Sequence, residues 1–252
     1  MELKINGKKV FFTTLGSGKQ LLILPGWAHD HNIWHGVQDL LSRNFQVTVI
    51  DFPGFGDSQI NPRLKNLTDY ARFLIKVVKE LNFKDFVILG HSFGGSVAIK
   101  TLSLDPTLPL RKLILVDSSG LRHFHYKKIL GLILAKPGKL IFSLPILKRW
   151  HQGARRLLYD RLGETDYLLS GELKNTFKRI VSENLEGLLD QIKIPTYILW
   201  GEKDDITPLT LGKILNAKII NSKLITLKNC GHFPFLEDPQ GFVQTVIKIV
   251  SE

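Results

Sequence analysis

The chain has 252 residues, 44% hydrophobic and 23% charged, which is ordinary globular composition with room for one large α/β domain or a domain carrying an insertion. Its single cysteine, Cys230, excludes an internal disulfide framework and a cysteine metal cluster, and Met1 to Gly7 holds no apolar core of signal-peptide length. The net charge of +11 points to a basic surface without a nucleic-acid motif, so nucleic acid is not expected as a partner.

Val10 to Thr14 alternates weakly and predicts an early antiparallel strand. Leu21 to Leu24 is a short buried-strand run stopped by Pro25-Gly26. Between them, Gly16-Ser17-Gly18-Lys19 lacks the full phosphate-loop pattern and reads as a hairpin turn. Ile33 to Leu41 has helical spacing. Phe45 to Ile50 is strand-like and ends in the turn-rich Asp51-Phe52-Pro53-Gly54-Phe55-Gly56-Asp57-Ser58. Leu67, Tyr70, Phe73, Leu74, Val77, Val78 and Leu81 recur at helical spacing, with Asn66 or Thr68 as the cap.

Phe86 to Leu89 is an apolar run that enters Gly90-His91-Ser92-Phe93-Gly94, and Gly95 to Lys100 continues as a helix. A serine on a tight strand-to-helix turn projects its hydroxyl out of the sheet, with a helix N-terminus behind it. The context, more than the five-residue pattern, marks Ser92 as a nucleophile. His91 beside it reads as a packing residue. Lys112 to Val116 is the next strand.

The rhythm stops near Gly120, and 121–191 reads as a helical insertion between two parts of one core, 1–120 and 192–252. Ten Lys or Arg residues against Asp160 alone fall between Leu121 and Arg161, so most of the charge belongs to this segment. Apolar residues from Leu130 to Leu147, with Phe124, Tyr126 and Trp150, accompany them. Lys136-Pro137-Gly138-Lys139 breaks the run, which therefore does not span a membrane. A solvated basic face is the plain reading; an acidic substrate or peripheral contact with an anionic membrane is the alternative it allows. A cytoplasmic protein is expected.

Strands resume with Thr196 to Trp200, followed by a helix over 209–215, a strand over 217–225 and a last helix from Pro239 to Val250. The alternation of continuous apolar strands with helices predicts a mostly parallel, doubly wound central sheet.

A serine hydroxyl needs a general base, and the base an orienting carboxylate. His232, in the loop Asn229 to Phe235, is the candidate base. Asp204 and Asp205 after the strand ending at Trp200 are candidate acids, with Asp117 a third at the edge of the insertion. Two backbone donors must meet the tetrahedral oxyanion, and the N–H groups of Trp27 and Phe93 are placed for it. His29, His31 and His35 lack a second ligand cluster, so no metal and no cofactor are expected.

Pro25-Gly26-Trp27, the Asp51 to Ser58 loop, Gly90 to Gly95, Gly201-Glu202-Lys203-Asp204 and Gly231-His232-Phe233 together resemble a serine-nucleophile, esterase-like α/β-hydrolase with a helical cap. The resemblance implies Asp204 as the acid and the insertion as a cap over the pocket. Pro25 departs from the histidine that many relatives carry there, without removing a backbone donor. Ser92 argues against the aspartate-nucleophile dehalogenases and epoxide hydrolases. The implied reaction is hydrolysis of a small-molecule ester, apolar or acidic, with thioester, lactone or C–C bond hydrolysis of meta-cleavage type as alternatives. A ligand-binding member without turnover is a different class that the sequence leaves open, as it does the oligomeric state.

Overall fold

The computed structural model describes residues 1–121 and 173–252. The basic and apolar residues of the insertion from Arg122 onward to 172 lie outside the described residues. The eight strands described form one sheet in the order β1-β2-β4-β3-β5-β6-β7-β8. They are β1 (Glu2–Ile5), β2 (Lys8–Leu15), β3 (Gln20–Leu24), β4 (Gln46–Ile50), β5 (Phe86–His91), β6 (Leu110–Val116), β7 (Thr196–Gly201) and β8 (Ser222–Leu227). β1 and β2 run antiparallel, and β3 to β8 are mutually parallel.

Among the described residues the α-helices are α1 (His35–Ser42), α2 (Leu67–Glu80), α3 (Phe93–Leu104), α4 (Lys174–Ser182), α5 (Leu209–Lys218), the single turn α6 (Pro234–Glu237) and α7 (Pro239–Ser251). The central strands bury both faces, so their sequences are continuous apolar runs. On one face Leu21, Ile23, Val47, Val49, Val87 and Leu89 meet Leu41 of α1 and Phe242, Val246 and Val250 of α7. On the other Leu22, Leu24, Ile88, Leu113 and Leu115 meet Tyr70, Leu74 and Val77 of α2, Val97 of α3 and Leu215 of α5. Asn66 is the cap of α2, its side chain accepting the Asp69 N–H at 2.9 Å.

Two expectations need correction. Gly16 to Lys19 is not a hairpin turn, because β4 lies between β2 and β3: Leu15 pairs with Val47, and Val47 with Leu21. The true hairpin joins β1 to β2 through Asn6 and Gly7, both at positive φ (51° and 76°), the geometry of a two-residue type I′ turn. Finally, Ala217 belongs to α5 and not to the last strand. Leu211, Leu215 and Ile219, four residues apart and all buried, carry that helix on to Lys218, and β8 starts only at Ser222. The part of 121–191 that is described contains α4 and a 3-10 turn, Glu186–Gln191.

After β3 the chain adds β4 on one side, then crosses to add β5 on the other. The loops leaving the C-terminal ends of β3 and β5 therefore part from each other, opening the crevice where doubly wound sheets bind ligands. Trp27 follows β3 and Ser92 follows β5.

Candidate active site

β5 ends at His91 and α3 begins at Phe93, leaving Ser92 alone to make the turn at φ 49°, ψ −114°. Such a backbone costs about 1–3 kcal/mol and persists only where the surroundings enforce it. Here Ser92 donates its N–H to Val116 O at 3.0 Å, and its carbonyl accepts from Gly95, Ser96 and Ser119. The turn also packs tightly against β3: a Cβ on Gly94 would collide with the Leu24 carbonyl. Ser92 is half-buried.

Asp204 and His232 leave the ends of β7 and β8 and meet directly. His232 Nδ1 lies 2.8 Å from Asp204 Oδ2, and both side chains are buried. Because the carboxylate accepts, Nδ1 carries the proton and Nε2 keeps its lone pair. Asp204 Oδ1 accepts the N–H groups of Ile206 and Thr207, each at 2.8 Å. Burial alone would raise the Asp204 pKa, but the bonds from His232 and Thr207 outweigh it and hold the pKa below the ordinary aspartate value. Asp205 is exposed.

Asp117 is fully buried at the end of β6, with its Oδ1 accepting the Gly201 N–H at 2.8 Å. Burial, and then the charge of Asp204, push its pKa up to about 10, so it is a neutral acid at pH 7. Of the three candidate acids, only Asp204 bonds to His232 in the described contacts.

Thr207 escaped the sequence reading. Its hydroxyl stands 2.7 Å from Asp204 Oδ2, 3.1 Å from His232 Nδ1 and 3.1 Å from the Asp117 carbonyl. With one proton to give, it donates to the carboxylate, the nearest acceptor. The signal was there: a threonine three residues after an aspartate is the spacing at which the carboxylate takes the backbone N–H groups of a tight turn.

Phe93 opens α3, so its N–H, at the first helical position, has no carbonyl one turn back within the helix. The rings of Trp27 and Phe93 pack edge to face, centroids 5.1 Å apart, bringing the two predicted donor residues together. Trp27 also meets Phe55 at 4.8 Å and Phe177 of α4 at 5.2 Å. A groove of about 460 Å³ between β8 and α7, lined by Ile225, Leu227, Asp238 and Lys248 among others, contains none of these residues.

A metal-like cluster does exist among the described residues, where sequence spacing showed none: His31, Asp51 and Asp57 place one ligand atom each within 4.8 Å of one another. Asp51, however, already accepts the His31 N–H at 2.7 Å, the Asp57 N–H at 3.0 Å and the His31 ring at 2.9 Å. That arrangement staples the two loops.

The family model described as "Alpha/beta hydrolase family" matches residues 21–245. The chain is 25% identical to the pimeloyl-[acyl-carrier protein] methyl ester esterase of Nitrosospira multiformis, over 95% of this chain and 97% of that one. It is 24% identical to the monoacylglycerol lipase ABHD6 of Homo sapiens, over 94% of this chain and 76% of that one. In fold it is similar to the esterase EaEST from Exiguobacterium antarcticum, with a TM-score of 0.77, 22% identity and coverage of 98% and 97%.

Proposed function

The chain belongs to the alpha/beta hydrolase family, and from that premise we propose that it is a serine hydrolase cleaving a carboxylic ester through an acyl-enzyme on Ser92. The observation that carries the reading is the buried His232–Asp204 bond of 2.8 Å, which leaves Nε2 as a free base on a loop tied to the serine's own strand.

In this mechanism His232 Nε2 takes the Ser92 proton as Oγ attacks the ester carbonyl. The negative charge on the tetrahedral oxygen is met by the backbone N–H groups of Trp27 and Phe93. Collapse expels the alcohol, which receives the proton from His232, and the acyl group stays on Ser92. Water then attacks the acyl-enzyme, losing its proton to His232, which passes it to Ser92 Oγ as the acid is released. Asp204 holds the imidazole in its Nδ1–H form and balances the imidazolium charge, while Thr207 fixes the carboxylate.

The largely buried aromatic wall of Trp27, Phe55, Phe93 and Phe177 around the two donor residues is compatible with an aliphatic acyl chain. The ester and lipid-ester substrates in the names of the relatives above are consistent with such a site.

Ser92→Ala is expected to lower hydrolysis of short p-nitrophenyl esters by at least about 10³-fold and to abolish labelling by a fluorophosphonate. Wild-type turnover in that variant would remove Ser92 from the reaction. A panel of graded acyl lengths would then define the chain that the aromatic wall accepts.

A further inference from the structure

Three segments meet around one imidazole. His91, the last residue of β5, is 1% exposed. Its Nε2 lies 2.8 Å from the carbonyl oxygen of His232, 141 positions along the chain. A carbonyl only accepts, so Nε2 carries the ring proton. Nδ1 is then bare, and among the described residues it has no hydrogen-bond partner. It faces the backbone of Gly26, where an added Cβ would stand 3.0 Å from His91 Nδ1 and 3.1 Å from His29 Nδ1. The ring is closed in by His232 at 4.9 Å, Phe233 at 5.4 Å and Phe235 at 5.1 Å.

We propose that His91 is a positioning residue, whose neutral Nε2–H ties the His232 backbone to the strand carrying Ser92 and so holds the general base in register with the nucleophile. The proposal rests on the roles given above to Ser92 and His232. Asp204 fixes the His232 ring through Nδ1, but a ring held at one atom on a loop is free to shift with its backbone. The bond from His91 removes that freedom. A displacement of about 1 Å at such a site costs about 10²-fold in rate.

The tether needs a neutral ring only in part, since an imidazolium would also donate from Nε2. Neutrality is instead required at Nδ1, which abuts Gly26 and has no acceptor to receive a proton. The titratable groups facing it are His232 and His29. Burial first, then the charge of His232, hold its pKa well below the ordinary histidine value, against the opposing effect of the His232 carbonyl; His29 adds to the lowering.

A space-filling role and a tether make different demands. His91→Phe keeps an aromatic ring and deletes the donor, whereas His91→Gln restores an N–H at similar reach. With p-nitrophenyl acetate, His91→Phe is expected to lower kcat about 10- to 100-fold with KM within about twofold, and His91→Gln to recover most of the loss. A wild-type kcat in His91→Phe, or a His91→Gln as impaired as His91→Phe, overturns the tether. A second measurement needs no variant to fold: long-range ¹H–¹⁵N spectra of the unaltered protein between pH 6 and 8 should show His91 as the neutral Nε2–H form. An Nδ1–H form, which has no proton at Nε2 to give the His232 carbonyl, overturns the proposal. If the unaltered protein neither turns over nor takes a fluorophosphonate, the Ser92 reading fails, and the tautomer spectrum still decides the tether.

Discussion

A charged carboxylate and a neutral carboxylic acid lie close together at the ends of β6 and β7. Asp204 is held ionised by the donors around it, and Asp117 is kept protonated by burial and by Asp204 itself. The folded chain thus retains a proton on Asp117 that the unfolded chain releases above about pH 4. By linkage, this site costs stability progressively as pH rises from about 4 toward 10. Asparagine is neutral at every pH, can accept the Gly201 N–H in the same way, and tolerates the positive φ of 43° at this position. Asp117→Asn is therefore expected to raise the Tm by about 5 °C at pH 8.5 and by little at pH 4.5, as scanning calorimetry at the two pH values would show. Ser92 and His232 stand out as candidates in the sequence because their local context, strand-turn-helix and a loop between the last strand and helix, marks them. The choice among Asp117, Asp204 and Asp205 is not legible there, because it depends on which side chain tertiary packing turns toward His232.

Helix α2 forms part of the floor under the Ser92 turn, its Tyr70 ring standing 5.2 Å from Phe93. Asn66 starts that helix by satisfying one of its orphan N–H groups. Asn66→Ala should cost about 1 kcal/mol and lower the Tm by about 2–4 °C, read by thermal melting at fixed pH. The apolar faces of α2 and the central strands could be read directly, since burial dictates their residue pattern. β1 could not, since only Ile5 of its four residues is buried. Its one clear signal was the Asn6-Gly7 pair, a strong hairpin cue. The α5–β8 boundary was misplaced because the buried spacing of Leu211, Leu215 and Ile219 outlasts the first strand-like residues.

At the scale of the molecule, alternation of strands and helices predicted a parallel sheet but not the order of its strands. The insertion of β4 between β2 and β3 is a matter of long-range pairing that no local pattern encodes. The pH response is likewise a property of the whole fold. His29 and His91 have lowered pKa values, by burial first and then by the charge of His232. Both are neutral when folded, so their contribution is complete above about pH 6.5 and is lost as pH falls below it, where the unfolded chain takes up protons. Asp117 acts in the opposite sense from about pH 4 upward. The two histidines outnumber Asp117 below about pH 6.5, and the Tm is expected to fall on going from pH 7 to pH 5. A His29→Gln/His91→Gln double variant should show a shallower fall; an equal one would reassign the acid sensitivity elsewhere. The span of 141 residues between His91 and His232 has a temporal consequence. Closing so long a loop is entropically unfavourable until the intervening strands have paired. During synthesis Ser92 is therefore in place long before His232, and on the proposed mechanism the young polypeptide has no hydrolytic activity until β8 and its following loop have docked.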